Sequence, residues 1–153
     1  ILFLYGDPGV SVSTERLNGY TKALKDKGIN ADNNLITESG YFEQDGYEQI
    51  SSILEKDQEF DAVIGINDNV SVGVLKALYE QGISVPDEIK VAGFGNVPYG
   101  DFLRIPLTTV EQFPGTIAVQ AFEILKSLME NKKTEQSTRI ECELIIREST
   151  KRV

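Results

Sequence analysis

The sequence predicts an α/β domain: a mainly parallel sheet flanked by helices. Short apolar runs alternate with stretches whose apolar residues recur at helical spacing, one of those runs is apolar throughout, and short turns carrying glycine or proline separate them.

Ile1-Leu2-Phe3-Leu4-Tyr5 reads as a first core strand, followed by the turn Gly6-Asp7-Pro8-Gly9. Leu17, Tyr20 and Leu24 then mark a helix that Ser11 or Ser13 can cap and that Gly28 can end in a left-handed conformation. Leu35-Ile36-Thr37 is a short second strand, and Tyr47, Ile50, Ile53 and Leu54 line one face of a second helix. Ala62-Val63-Ile64-Gly65-Ile66 is the wholly apolar run, as expected of a strand covered on both faces. Asn67-Asp68 follows at once; Val70, Val74, Leu75 and Leu78 mark a third helix closed by Gly82, and 89–94 supplies a fourth strand. The result is a βαβαβαβ pattern with short links.

After Phe94 the rhythm breaks. Gly95 to Ile105 is a loop, Leu107 to Val110 is extended, and Pro114 suits the first turn of a fourth helix with the stripe Ile117, Ala121, Ile124, Leu125 and Leu128. Asn131 to Thr138 is polar and reads as a mobile connection; Ile140 to Ile146 alternates like an edge strand, with Ile140, Cys142, Leu144 and Ile146 on one side.

Composition narrows the chemistry. At 153 residues and 41% hydrophobic, the chain can close one core with a partial annex. A net charge of −9 repels phosphate backbones, so nucleic acid and anionic membranes are poor direct partners. The acidic run Asp57, Glu59 and Asp61 reads as a solvated face. A single cysteine, Cys142, excludes an internal disulfide framework and fits a reduced, cytoplasmic setting. The absence of histidine removes the commonest general base and metal ligand. No phosphate loop or nucleophile elbow is present, and Gly93-Phe94-Gly95 lacks the third glycine of a dinucleotide fingerprint, so neither cofactor nor metal is expected.

The remaining polar candidates cluster where open α/β sheets bind ligands, beyond the carboxyl ends of the strands. Arg16 follows the first strand, Tyr41 the second, Asn67 and Asp68 the third, and Asn96 the fourth. Each also has a purely structural reading. Arg16 can be a solvated charge, Tyr41 packing, Asn96 a loop stabiliser, and either Asn67 or Asp68 a helix cap.

Arg16-Leu17-Asn18-Gly19-Tyr20, Phe60-Asp61-Ala62-Val63 running into Asn67-Asp68, 72–78, Gly82-Ile83-Ser84-Val85-Pro86-Asp87, Val91-Ala92-Gly93-Phe94, 106–110 and Arg147-Glu148-Ser149-Thr150 together resemble the effector-binding core of the lactose-repressor (LacI/GalR) family of transcription regulators. The resemblance spans nearly the whole chain. It implies a periplasmic-binding-protein-like fold of two α/β subdomains closing on a small, sugar-like effector, with residues 1–110 forming the C-terminal subdomain. Residues 111–138 would then be the crossover and helix of the N-terminal subdomain, and 139–153 the returning strand and tail. The DNA-binding head and most of the N-terminal subdomain are not among these residues, and the opening inside a strand, without methionine or leader, reads the same way.

By the same resemblance Arg16 grips the ligand, Tyr41 lines the pocket, Asn67 contacts sugar hydroxyls and Asp68 caps the helix carrying the dimer face. That homodimer face falls near Val72, Lys76 and Leu103. The family often has an acidic residue where this chain has Gly95, which argues for an unusual effector. Operator DNA would be a partner only through the head, the helix from Pro114 would lack its usual cover, and a half-cleft is expected to bind weakly. Two other functions share the pattern: a solute receptor for uptake, and, less favoured, a small α/β enzyme using Asp68 as nucleophile or base.

Overall fold

The computed structural model describes residues 1–56, 58–132 and 137–151. Asp57 of the acidic run and residues 133–136 of the polar connection lie outside them.

Strand β1 (Leu2–Tyr5) leads to helix α1 (Ser11–Asp26), and a 3-10 turn (Asn33–Leu35) leads to β2 (Ile36–Glu38). Then follow α2 (Glu43–Leu54), β3 (Ala62–Gly65), α3 (Asp68–Glu80) and β4 (Lys90–Ala92). The first four strands form one parallel sheet in the order β2-β1-β3-β4, so the most apolar strands sit in the middle. Beyond β4 come β5 (Thr109–Glu111), α4 (Pro114–Met129) and β6 (Glu143–Ile145). The second strand begins one residue later than predicted, because Asp32 accepts a hydrogen bond from the Asn34 amide and holds 33–35 in a tight turn.

The helix boundaries follow local chemistry. Gly28 (φ +69°) ends α1: the Gly28 amide donates to the Lys25 carbonyl (3.0 Å) and the Ile29 amide to that of Leu24 (2.9 Å). Gly82 (φ +74°) ends α3 with the same pair of bonds, to Tyr79 and Leu78. The start of α1 differs from expectation. Val10 occupies the cap position with no side-chain hydrogen bond, and Ser13 is buried, its hydroxyl paired with that of Tyr41 at 2.7 Å.

Helices α2 and α3 pack together on one face of the sheet with their backbones in contact. A Cβ on Gly46 would strike the Val70 carbonyl, and one on Gly73 the Glu43 carbonyl. Helix α1 covers the other face over β1, where the Phe3 and Tyr20 rings stack at 4.9 Å. It does not reach the rest of that face. Val63 and Val91, on the α3 side, are fully buried, whereas Ile64, paired with Phe3 on one side and Ala92 on the other, is only partly covered. The expectation that this strand is covered on both faces therefore holds for one face, because a single helix spans the other.

The C-terminal segments stay attached to the sheet beside β4: Thr108 bridges Ala92 in parallel, the Gly95 amide donates to the Val110 carbonyl and the Val91 amide to that of Ser149. Strands β5 and β6 then form an antiparallel ribbon, with Val110 opposite Leu144. The expected edge strand is thus shorter and belongs to no main sheet; Leu144 and Ile146 are exposed. Helix α4 begins at Pro114 as expected, yet none of its residues is buried. Phe122, Val119 and Met129, off the predicted stripe, are exposed as well as Leu125 and Leu128. A helix apolar on most of its surface is one made to be enclosed.

Candidate functional site

The carboxyl ends of β1, β3 and β4 converge beside the start of α1, the position where parallel α/β sheets hold ligands. Arg16 stands on the second turn of α1 and reaches across these ends. One terminal nitrogen donates to the Ile66 carbonyl and the other lies 3.4 Å from Gln112 Oε1, while the guanidinium carbon sits 3.8 Å above the Phe94 ring. Burial lowers the Arg16 pKa, against the opposing influence of Cys142, Asp68 and Tyr41. An arginine remains charged under such a shift. Among the described residues no carboxylate forms an ion pair with it.

Arg16 heads a groove of about 560 Å³ that runs down the sparsely covered sheet face. Val12, Phe3, Ile64, Phe94, Val110 and Gln112 are among its walls. An apolar channel with the Arg16 cation and the Gln112 amide at its head, and Glu15 also in its wall, suits a ligand with an apolar face and a polar rim. Of the four predicted ligand residues, only Arg16 lines it. Phe94 and Gln112 were not singled out by the sequence reading. Gln112 has a legible signal only in retrospect: it follows the end of an extended segment and precedes Pro114, so it falls at the same strand-end level as Arg16.

Tyr41 and Asn67 meet next to this groove. The Asn67 amide nitrogen donates to the Tyr41 carbonyl (2.9 Å), and the Tyr41 ring closes over Gly6, leaving no room for a side chain there. Asn67 is also the cap of α3, its Oδ1 accepting from the Val70 amide at 2.9 Å. The expected cap is therefore corrected: Asn67, not Asp68, caps the helix. Asp68 is 1% exposed, with Oδ1 accepting from the Thr109 hydroxyl (2.6 Å) and Oδ2 from the Val97 amide (2.8 Å). A carboxylate enclosed in this way is no accessible nucleophile or base.

Asn96 is turned away from the groove. In a left-handed conformation (φ +51°), it donates through its backbone amide to the Thr109 hydroxyl (3.1 Å) and through Nδ2 to Glu111 Oε2 (2.6 Å), and its Oδ1 accepts from Arg147 (2.9 Å). This is the loop-stabilising role rather than the ligand contact. Gly95 adopts φ +134°, a conformation L side chains rarely take, so an acidic residue there would need a different backbone.

The three pairing candidates lie on the outer side of α3. Lys76 and Leu103 share a smaller apolar groove of about 280 Å³ with Leu75, Tyr79, Arg104 and Ile105, and Val72 is one turn earlier on the same helix. The Lys76 ammonium lies 4.9 Å from the Tyr47 ring centre and the Arg104 guanidinium 4.3 Å from that of Tyr79. Among the described residues no cluster of metal ligands exists, and no helix is long and apolar enough to cross a membrane.

Residues 1–150 match the family model of the periplasmic binding protein-like domain. Over 153 residues the chain is 35% identical to the HTH-type transcriptional repressor PurR of Histophilus somni (strain 129Pt), covering 99% of this chain and 46% of that protein. It is 32% identical to the HTH-type transcriptional regulator GalR of Escherichia coli (strain K12), covering 95% of this chain and 42% of that one. The fold superposes with a TM-score of 0.88 and 28% identity on a sugar-binding transcriptional regulator of the LacI family from Escherichia coli complexed with phosphate, covering 97% of this chain and 53% of the other. The chain spans about half the length of the relatives it matches. It belongs to the periplasmic binding protein-like domain family, and its relatives there are transcriptional regulators of the LacI and GalR type.

Proposed function

We propose that the chain is the effector-sensing part of a cytoplasmic, DNA-binding transcription regulator, and that its groove forms one wall of a cleft for a sugar or sugar-like molecule. The observation that carries this reading is Arg16: a half-buried cation without a carboxylate partner among the described residues, stacked on Phe94 beside Gln112, at the ligand-binding edge of the sheet. The stacked aromatic offers an apolar face for a pyranose ring, and the guanidinium and amide offer donors for its hydroxyls. Repressor and sugar-binding relatives favour sensing over uptake or catalysis, and the enclosure of Asp68 weighs against the enzyme reading. In this reading the crossover through 111–138 and the return through 139–153 join a second subdomain, and Tyr41 and Asn67 complete the rim.

With only one wall of the cleft in this chain, we expect binding on the order of 1 mM or weaker, within reach of amide chemical-shift titration. Hexoses and their disaccharides should perturb the amides of Arg16, Phe94 and Gln112 in a saturable way, and Arg16→Met should abolish the response. Perturbations that avoid these residues, or that survive in Arg16→Met, would overturn the assignment.

The outer face of α3 serves, in the same proposal, as a homodimer face through Val72, Lys76 and Leu103. Val72→Asp, or Lys76→Glu where the first disturbs folding, should shift the sedimenting species from dimer to monomer. An unchanged association state in the folded variants counts against this face.

A further inference from the structure

The turn joining β5 to α4 holds an unfavourable backbone conformation. Phe113 is left-handed (φ +54°, ψ +59°), a region that bulky residues avoid and that a following proline disfavours further. One side chain spans this turn: Glu111 Oε1 accepts from the Phe113 amide at 2.7 Å, and its Oε2 accepts from Asn96 at 2.6 Å. Asn96, itself left-handed, is held in turn by Arg147 of the returning segment, which also donates to the Leu107 carbonyl and pairs with Asp101 at 3.1 Å. A single carboxylate thus ties together the outgoing strand, the loop after Phe94 and, through Asn96, the returning segment.

We propose that Glu111 is a latch that holds Phe113 in its left-handed conformation and so fixes the direction in which α4 leaves the sheet domain, with Gln112 as the element that couples the latch to the groove. Gln112 lies between the two latched residues and faces Arg16, and Phe94 is two residues from Asn96. A molecule that displaces Gln112 from Arg16 pulls on both bonds of the latch. Without them Phe113 relaxes toward extended backbone, and α4, none of whose residues is buried, swings to a new direction. The coupling rests on the groove being the effector site; the latch does not.

The test needs no ligand. In a Cys142→Ser background, spin labels at Lys22→Cys on α1 and Lys126→Cys on α4 report the direction of α4. The parent chain should give one narrow distance distribution, and Glu111→Ala a broad or two-peaked one. Glu111→Gln, which keeps one acceptor, should fall between them, and it decides the matter if Glu111→Ala does not fold. Exchange of the Phe113 amide should be about tenfold faster in Glu111→Ala, the loss of a hydrogen bond to a charged acceptor. A narrow, unshifted distribution in the folded variants would overturn the latch. Arg16→Met should shift the Phe113 amide resonance; an unmoved resonance would overturn the coupling even if sugars bind.

Discussion

Replacing Asp68 tests whether this carboxylate, rather than the neighbouring asparagine, holds the loop after β4. Its oxygens accept from the Thr109 hydroxyl at 2.6 Å and the Val97 amide at 2.8 Å, at 1% exposure. In Asp68→Asn the amide oxygen can serve Val97, but the amino group then faces Thr109, whose hydroxyl proton loses its acceptor; one hydrogen bond to a charged group is lost, about 1.5–3 kcal/mol. Asp68→Ala strands both donors and opens a small cavity, roughly 3–5 kcal/mol. With a urea slope of about 1–3 kcal/mol per molar, these become midpoint shifts of roughly 1 M and 2 M, read by circular dichroism. Asn67→Ala removes a cap worth about 1 kcal/mol and the bond to Tyr41, and should shift the midpoint less than Asp68→Ala. The reverse order would return Asp68 to the role of an ordinary cap, and an Asp68→Ala midpoint equal to that of the parent would refute its hold on the loop.

Two glycines inside helices should respond to alanine with opposite signs. At Gly73 a Cβ meets the Glu43 carbonyl and lies 2.7 Å from the Tyr47 nitrogen; both are backbone atoms that cannot move aside, so Gly73→Ala should cost about 1–3 kcal/mol despite the better helix former. Gly19 has open space, so Gly19→Ala should stabilise by about 0.5–1 kcal/mol, and thermal melts that moved together would refute the close contact of α2 and α3. The Glu111 carboxyl is held below its ordinary value, first by the hydrogen bond from Asn96 and then by that from the Phe113 amide. A depressed folded value stabilises above the unfolded value of about 4.3 and is lost as pH falls through the folded one. The α4 distance distribution should therefore broaden on acidification in the parent chain and change less in Glu111→Gln; equal responses would separate the turn from the carboxylate.

Much of the sheet domain was legible because its signals are local. The glycine ends of α1 and α3, the apolar run of β3 and the proline start of α4 depend on residues a few positions apart, and each appears where its chemistry requires. What was not legible depends on cover. Ile64 and Val63 are equally apolar in sequence, yet one faces α3 and the other a groove that α1 does not reach. The alternation from Ile140 to Ile146 is likewise a true period-two pattern, but period alone does not say which sheet a strand joins, and β6 joins β5 instead of the main sheet.

The site was harder to read for a related reason. Asn67 and Asp68 are adjacent, both favour helix starts, and nothing between positions 62 and 80 distinguishes them. The distinction comes from Thr109 and Val97, whose donors converge on Asp68, and from Val70 and Tyr41, which engage Asn67. A carboxylate accepts two donors without offering one, so it fits the buried position where donors converge; an amide both accepts and donates, so it fits the junction that needs a cap for one neighbour and a donor for another. Asn96 follows the same logic, accepting from Arg147 while donating to Glu111. Arg16 could be placed from sequence because its reach, from the second turn of α1 over the strand ends, is set by the first βα unit alone. Gln112 could not, because it reaches the site through β5, which comes to lie beside β4 only after the long loop from Gly95 to Ile105.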